Sequence, residues 1–158
     1  MQLLWMVLAA GGIVALDQWT KCLVVDAIPL HGHVDAIPGL FHLTYVQNTG
    51  AAFSLFEGMQ WLFALIFALF TALVLWDYVK KLMPFSTFER WMIVAIYGGG
   101  LGNMIDRVRL GYVVDMIRVD FMEFPVFNVA DCFITCGCIA LIASLVLLNK
   151  EFWKDEKK

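Results

Sequence analysis

The chain has 158 residues, 61% of them hydrophobic, 15% aromatic and 16% charged, with a formal net charge of −3. Soluble domains average about 45–50% apolar and about 25% charged residues, so a water-soluble globule and a disordered chain are both excluded. A nucleic-acid binder would need a basic face, which this acidic chain lacks. Lipid is the solvent this composition suits.

Residues 1–16, 58–76, 91–105 and 132–149 carry no Asp, Glu, Lys or Arg. A membrane span needs about 20 mostly apolar residues. The second and fourth stretches suffice as they stand. The first reaches that length by absorbing Asp17 and Lys21, and the third by absorbing Asn103, Asp106 and Arg107. The expectation is a mainly α integral membrane protein with four transmembrane helices, at about 3–25, 59–77, 89–108 and 128–149. They form a single membrane domain, 1–158, with no linker or repeat. The opening segment lacks a positive n-region and a small-residue cleavage site, so it reads as a retained helix. No cysteine follows Ala9-Ala10-Gly11, so the chain does not read as a lipoprotein itself.

Lys and Arg set orientation. Lys80, Lys81 and Arg90 follow the second helix, and Lys150, Lys154, Lys157 and Lys158 follow the fourth, whereas residues 23–58 have none. Both termini and the loop 77–90 are thus expected in the cytoplasm. Arg107, Arg109 and Arg118 run against this rule, which points to a local use for each. Residues 37–56, between helices 1 and 2, read as an outer β-prone segment: apolar 40–46, turn-like 47–50 and apolar 51–56. Residues 113–121 are also rich in β-branched side chains. A small extracytoplasmic sheet is expected, with Phe41, Phe53 and Phe56 at the interface.

Ionisable groups inside a membrane are costly and mark function. Asp17 and Lys21 stand four apart and share a helix face. Asn103, Asp106 and Arg107 stand at spacings of three and four, and Asn128 and Asp131 are three apart at the start of the last helix. With Asp115 they gather near one depth. If Asp17 takes Lys21 and Asp106 takes Arg107, then Asp115 and Asp131 lack a neighbouring cation. Two carboxyls close together at low dielectric share one proton, which supplies one base and one acid with water between them. Gly98 and Gly102 form a small-xxx-small pair suited to close helix approach.

Other chemistries fit less well. His31, His33 and His42 lack a metal-naming spacing, so no metal is expected. Cys132, Cys136 and Cys138 share one helix and read, with Cys22, as small packing residues. A Ser–Lys dyad could use only Ser54 with Lys21, whose amine Asp17 would keep protonated. The aromatic stripe from Trp61 to Trp76 faces lipid or neighbouring helices. The rival class is a small proton-coupled transporter with its carboxyls as a relay, and a non-catalytic lipid or peptide receptor is a third.

Five segments occur in order: Asp17-Gln18-x-Thr20-Lys21, Asn48-x-Gly50-x-Ala52-Phe53, Gly99-x-x-Gly102-Asn103-x-x-Asp106-Arg107, Val113-Val114-Asp115, and Phe127-Asn128-Val129-Ala130-Asp131. Together they resemble the signal peptidase II family, the lipoprotein signal peptidases. The resemblance implies an aspartic endopeptidase of the bacterial cytoplasmic (inner) membrane, multi-pass, with its site near the extracytoplasmic face. It implies Asp115 and Asp131 as the catalytic pair, and cleavage before a diacylglyceryl-modified Cys of a prolipoprotein. It further implies no metal and blockage by globomycin-type peptides; no other cofactor is expected, and the chain is expected to be a monomer surrounded by membrane lipid. Asn48, Gly50, Asn103, Arg107 and Asn128 match positions that line the site, while Asp17, Lys21 and Asp106 support it.

Overall fold

A computed structural model describes residues 1–50 and 56–153. It contains helices α1 (Gln2–Ala27), α2 (Gln60–Lys80), α3 (Thr87–Leu110) and α4 (Val129–Leu147), then a 3-10 turn, Lys150–Trp153. α1, α2 and α4 are long and apolar enough to cross a membrane. α3 is as long, but Glu89, Arg90, Asp106, Arg107 and Arg109 interrupt its apolar run.

α3 is the hub, and its glycines set how closely its neighbours approach. A Cβ on Gly98 would stand 3.1 Å from Ile13, and one on Gly102 would stand 2.6 Å from the Asp17 carboxylate. These contacts seat α1 parallel to α3. A Cβ on Gly99 would lie 2.5 Å from the Ala130 carbonyl oxygen, while Gly137 backs onto Met92 and Ile96, so α4 runs antiparallel. Larger residues at 99 or 102 would force the helices apart. α2 joins through Phe67 and Phe70, whose rings lie 5.3 and 6.2 Å from that of Tyr97. Phe67 and Phe70 thus face a helix, whereas Trp61 and Trp76 are exposed.

Three antiparallel strands, β1 (His33–Ile37), β2 (Phe41–Asn48) and β3 (Val113–Val119), form one sheet in that order. The sheet is not confined to the segment between α1 and α2, because β3 follows α3. Residues 47 and 48 belong to β2, so the chain turns only from Thr49 onward. Val24 and Ile28 at the end of α1 pack with Tyr45, Val114 and Met116 under the sheet. On the far edge of β3, the amides of Met116 and Ile117 donate to the Phe127 carbonyl at 2.9 and 2.8 Å. That edge ties the segment preceding α4 to β3. Phe41 is half-buried and Phe56 exposed; Phe53 and Ser54 lie outside the described residues.

The opposite end of the bundle holds a buried acid that the hydrophobic pattern hides. Glu89 is fully buried and accepts from the Ser86 amide at 2.7 Å, Ser144 Oγ at 2.9 Å and Asn149 Nδ2 at 2.7 Å. It closes a capping box with Ser86, and the positive start of α3 favours its charge. The α3 start and the α4 end are thereby locked together. Of the cysteines expected as buried packing, Cys22 and Cys136 are exposed and Cys132 and Cys138 partly buried, all unbridged. The helix surface, which lipid would cover, holds them.

Candidate active site

The last turns of α1 and α3, the first turn of α4, and strands β2 and β3 meet at the sheet end of the bundle. α4 begins with a capping box: the Asp131 amide donates to Asn128 Oδ1 at 3.0 Å, and the Asn128 amide donates to Asp131 Oδ2 at 3.1 Å. The bonds that start the helix therefore also fix both side chains. An Asn followed three residues later by Asp, ahead of an apolar run, was a readable sign of that cap.

Asp115 and Asp131 line one groove of about 540 Å³ together with Asn48, Asn103 and Arg107. Three asparagines hold the two carboxylates. Asn128 Nδ2 donates to Asp115 Oδ1 at 2.7 Å, and Asn48 Nδ2 donates to Asp115 Oδ2 at 2.7 Å. Asn103 Nδ2 donates to Asp131 Oδ1 at 2.8 Å. Each amide oxygen is itself pinned, which fixes where its NH2 points. Asn48 Oδ1 accepts from the Gly50 amide at 2.9 Å. Asn103 Oδ1 accepts from Lys21 Nζ at 2.8 Å and from Asn128 Nδ2 at 3.0 Å. Asn128 is wholly buried behind the groove.

Asp115 is only 2% exposed. Burial pushes its carboxyl up to about 6, the Asn48 hydrogen bond opposes this, and the charge of Asp131 adds to the rise. This carboxyl can therefore hold a proton near neutral pH.

Lys21, Asp17 and Asp106 lie beneath the groove. Lys21 Nζ stands 2.8 Å from Asp17 and 3.0 Å from Asp106, held between two carboxylates. Asp17 Oδ1 also accepts from the Ala130 amide at 3.0 Å, and Asp106 Oδ2 from the Val114 amide at 3.1 Å. The expected Asp106–Arg107 pair does not form, because adjacent helix positions point apart. Arg107 instead donates to the Gly50 carbonyl at 2.7 Å and lies 4.2 Å over the Phe63 ring. Gly50 thus joins Asn48 to Arg107. Gln18, which the charge count passed over, donates to Asp106 Oδ1 at 2.8 Å and to the Gly102 carbonyl at 3.2 Å. Its sequence sign was its place in the Asp17-Gln18-x-Thr20-Lys21 segment.

Chemically, the groove offers two carboxylates, amide donors and a guanidinium at the end of an apolar bundle. Among the described residues no cluster of three or more His, Cys, Asp or Glu could hold a metal ion. The model of the signal peptidase (SPase) II family matches residues 9–147. A lipoprotein signal peptidase of Streptococcus thermophilus is 43% identical over 144 residues, covering 91% of this chain and 89% of the relative. One from Streptococcus agalactiae serotype Ia is 44% identical over 147 residues, covering 91% and 88%. A solved bacterial membrane enzyme, determined by the in meso method at 2.3 Å resolution, superposes with a TM-score of 0.85 at 30% identity, covering 97% of this chain and 93% of that one. With a family model spanning most of its length and such relatives, the chain belongs to the signal peptidase II family and is a membrane peptidase of lipoprotein processing.

Proposed function

We propose that the chain is an aspartic endopeptidase that cuts prolipoproteins just before a diacylglyceryl-modified cysteine, with Asp115 and Asp131 as its catalytic pair. The observation that carries this reading is the placement of both carboxyls on one groove, joined through Asn128. One carboxylate takes a proton from a water between them while the protonated partner polarises the scissile carbonyl; a proton then passes to the leaving amine. The pair titrates as a unit. Arg107, Asn48 and Gly50 bind the peptide backbone, and Asn103 and Asn128 hold the pair in register. Asp17, Lys21 and Asp106 form the support beneath.

All four helices span the cytoplasmic membrane as one domain, 1–158, with both termini inside and the sheet outside. α3 crosses because its polar side chains turn to neighbouring helices, Glu89 to α4, Asp106 to α1, and Arg90 and Arg107 to α2. The substrate's acyl chains stay in lipid and set its depth, so a site at the membrane boundary meets the bond to be cut. The chain works alone, without a cofactor. A relay for protons would string its carboxyls through the bilayer, whereas here Asp17, Asp106, Asp115 and Asp131 gather at one end and Glu89, at the other, is locked by Ser86, Ser144 and Asn149.

The decisive experiment incubates the purified protein with a diacylglyceryl-modified precursor and with the same precursor unmodified. Cleavage of the first alone supports the proposal; equal cleavage of both removes the lipid from it. A pH profile tests the pair. An active pair carries one proton, so the rate falls as pH rises through about 6, where Asp115 loses its share. Asn48→Ala removes a hydrogen bond that favours the charged form, and this alkaline limb should move to higher pH.

A further inference from the structure

A second pocket of about 660 Å³ lies beside the groove, and the two share Phe124 and Pro125 as a common wall. Its polar lining is His42 on β2, Arg118 on β3, and Asp120 and Glu123 on the segment that leads to α4. His42 Nδ1 stands 2.5 Å from Asp120 Oδ1, so these two engage each other. Arg118 sits directly across from His42 in the sheet register. Arg118 and Glu123 have no ion-pair partner among the described residues. Arg118 is also one of three arginines whose position runs against the charge rule for loops. Of the other two, Arg107 is held at the groove and Arg109 is exposed in the last turn of α3.

A peptide cut between Asp115 and Asp131 must leave the groove in two directions. Its apolar signal half can stay with lipid along Ile134 and Cys136 of α4, which line the groove. Its other half begins with the lipidated residue and leads into water, past Phe124 and Pro125. Resting on the function proposed above, we propose that the Arg118 pocket seats the first residues of the mature chain after the cleaved bond. Arg118 is the specificity residue there, selecting an acidic side chain. A guanidinium offers a carboxylate a fixed fork of donors. Arg118 is in no ion pair among the described residues, and of the two acids on the same lining Asp120 is engaged by His42, which leaves Glu123 as the charge that opposes an acidic ligand. Its effect is that of an exposed ion pair, about two- to five-fold in affinity.

The test uses the full chain in micelles of neutral detergent. Lipidated peptides carry Asp, Asn or Lys at the second and third residues after the cut, and both cleavage kinetics and fluorescence-anisotropy binding are read. The expected result is a KM and Kd about two- to five-fold lower for Asp than for Lys, with kcat unchanged. The preference should vanish in Arg118→Gln and invert in Arg118→Glu. A flat series in peptides that are cut, or a preference that survives Arg118→Gln, overturns the pocket while leaving the peptidase reading intact. So does an Arg118→Gln effect seen only in micelles doped with phosphatidylglycerol, which would assign the arginine to lipid. Charge-selective binding that depends on Arg118, without cleavage, upholds the pocket and removes the proposed cleavage before a diacylglyceryl-modified cysteine.

Discussion

Asparagine at position 115 or at position 131 should each reduce cleavage of a lipidated precursor by at least about 10³-fold, within the range ascribed to acid–base catalysis. The substitution keeps shape and volume but removes the ability to carry or release the shared proton. Both oxygens of Asp115 accept from amide NH2 groups, of Asn128 and of Asn48. An asparagine there must present its own NH2 to one of those donors, so some local stability is lost along with the chemistry. The comparison therefore needs two controls: thermal stability in detergent, and binding of a lipidated peptide that cannot be cut. Binding should survive in both variants. The double variant should be no worse than either single one, because two groups that act as a unit are not additive. A single variant that retained more than a tenth of the wild-type rate would assign the chemistry elsewhere.

How much was readable beforehand depends on the range of each interaction. The Asp17–Lys21 pair is local, set by one helical turn, and spacing alone shows it. Charge counting leaves Asp115 and Asp131 without a neighbouring cation, the common depth of the polar helix ends points them to one place, and the family resemblance names them as a pair. The partner of Asp106 was misjudged for the same reason: counting assigns charges to sequence neighbours, but a helix turns Arg107 away and offers Asp106 to Lys21 on another helix. Glu89 was overlooked because it lies at the edge of an apolar run, and its partners Ser144 and Asn149 are 55 and 60 residues away. Asn103 and Asn128 were legible as polar residues in the wrong solvent, and Asn48 only through the family resemblance of its turn-like segment. Which way each amide points is decided only by the donors that pin its oxygen, and Lys21 and the Gly50 amide come from distant or looped chain. Strand β3 was visible in composition, but its union with β2 depends on α3 returning the chain to the sheet end.

Lys21→Met should be the most damaging change outside the groove. The ammonium is 3% exposed, and it contacts Asp17 at 2.8 Å, Asp106 at 3.0 Å and Asn103 Oδ1 at 2.8 Å. Methionine fills the space but leaves two buried carboxylates side by side without a cation. Removing one partner from a buried ion network costs about 3–5 kcal/mol, a large share of the stability of a small domain. Cleavage should fall further than stability explains. Asn103 loses one of the two donors that pin its oxygen, so its NH2 is held less firmly on Asp131. Adding Asp106→Asn to Lys21→Met removes one of the opposed charges and should recover part of the thermal stability. It should not restore the rate, because nothing in the double variant replaces the donor to Asn103. If Lys21→Met melted like the wild type, the three-way contact would carry no stability. If the double variant regained full activity, Lys21 would matter only as a counter-charge and not through the orientation of Asn103.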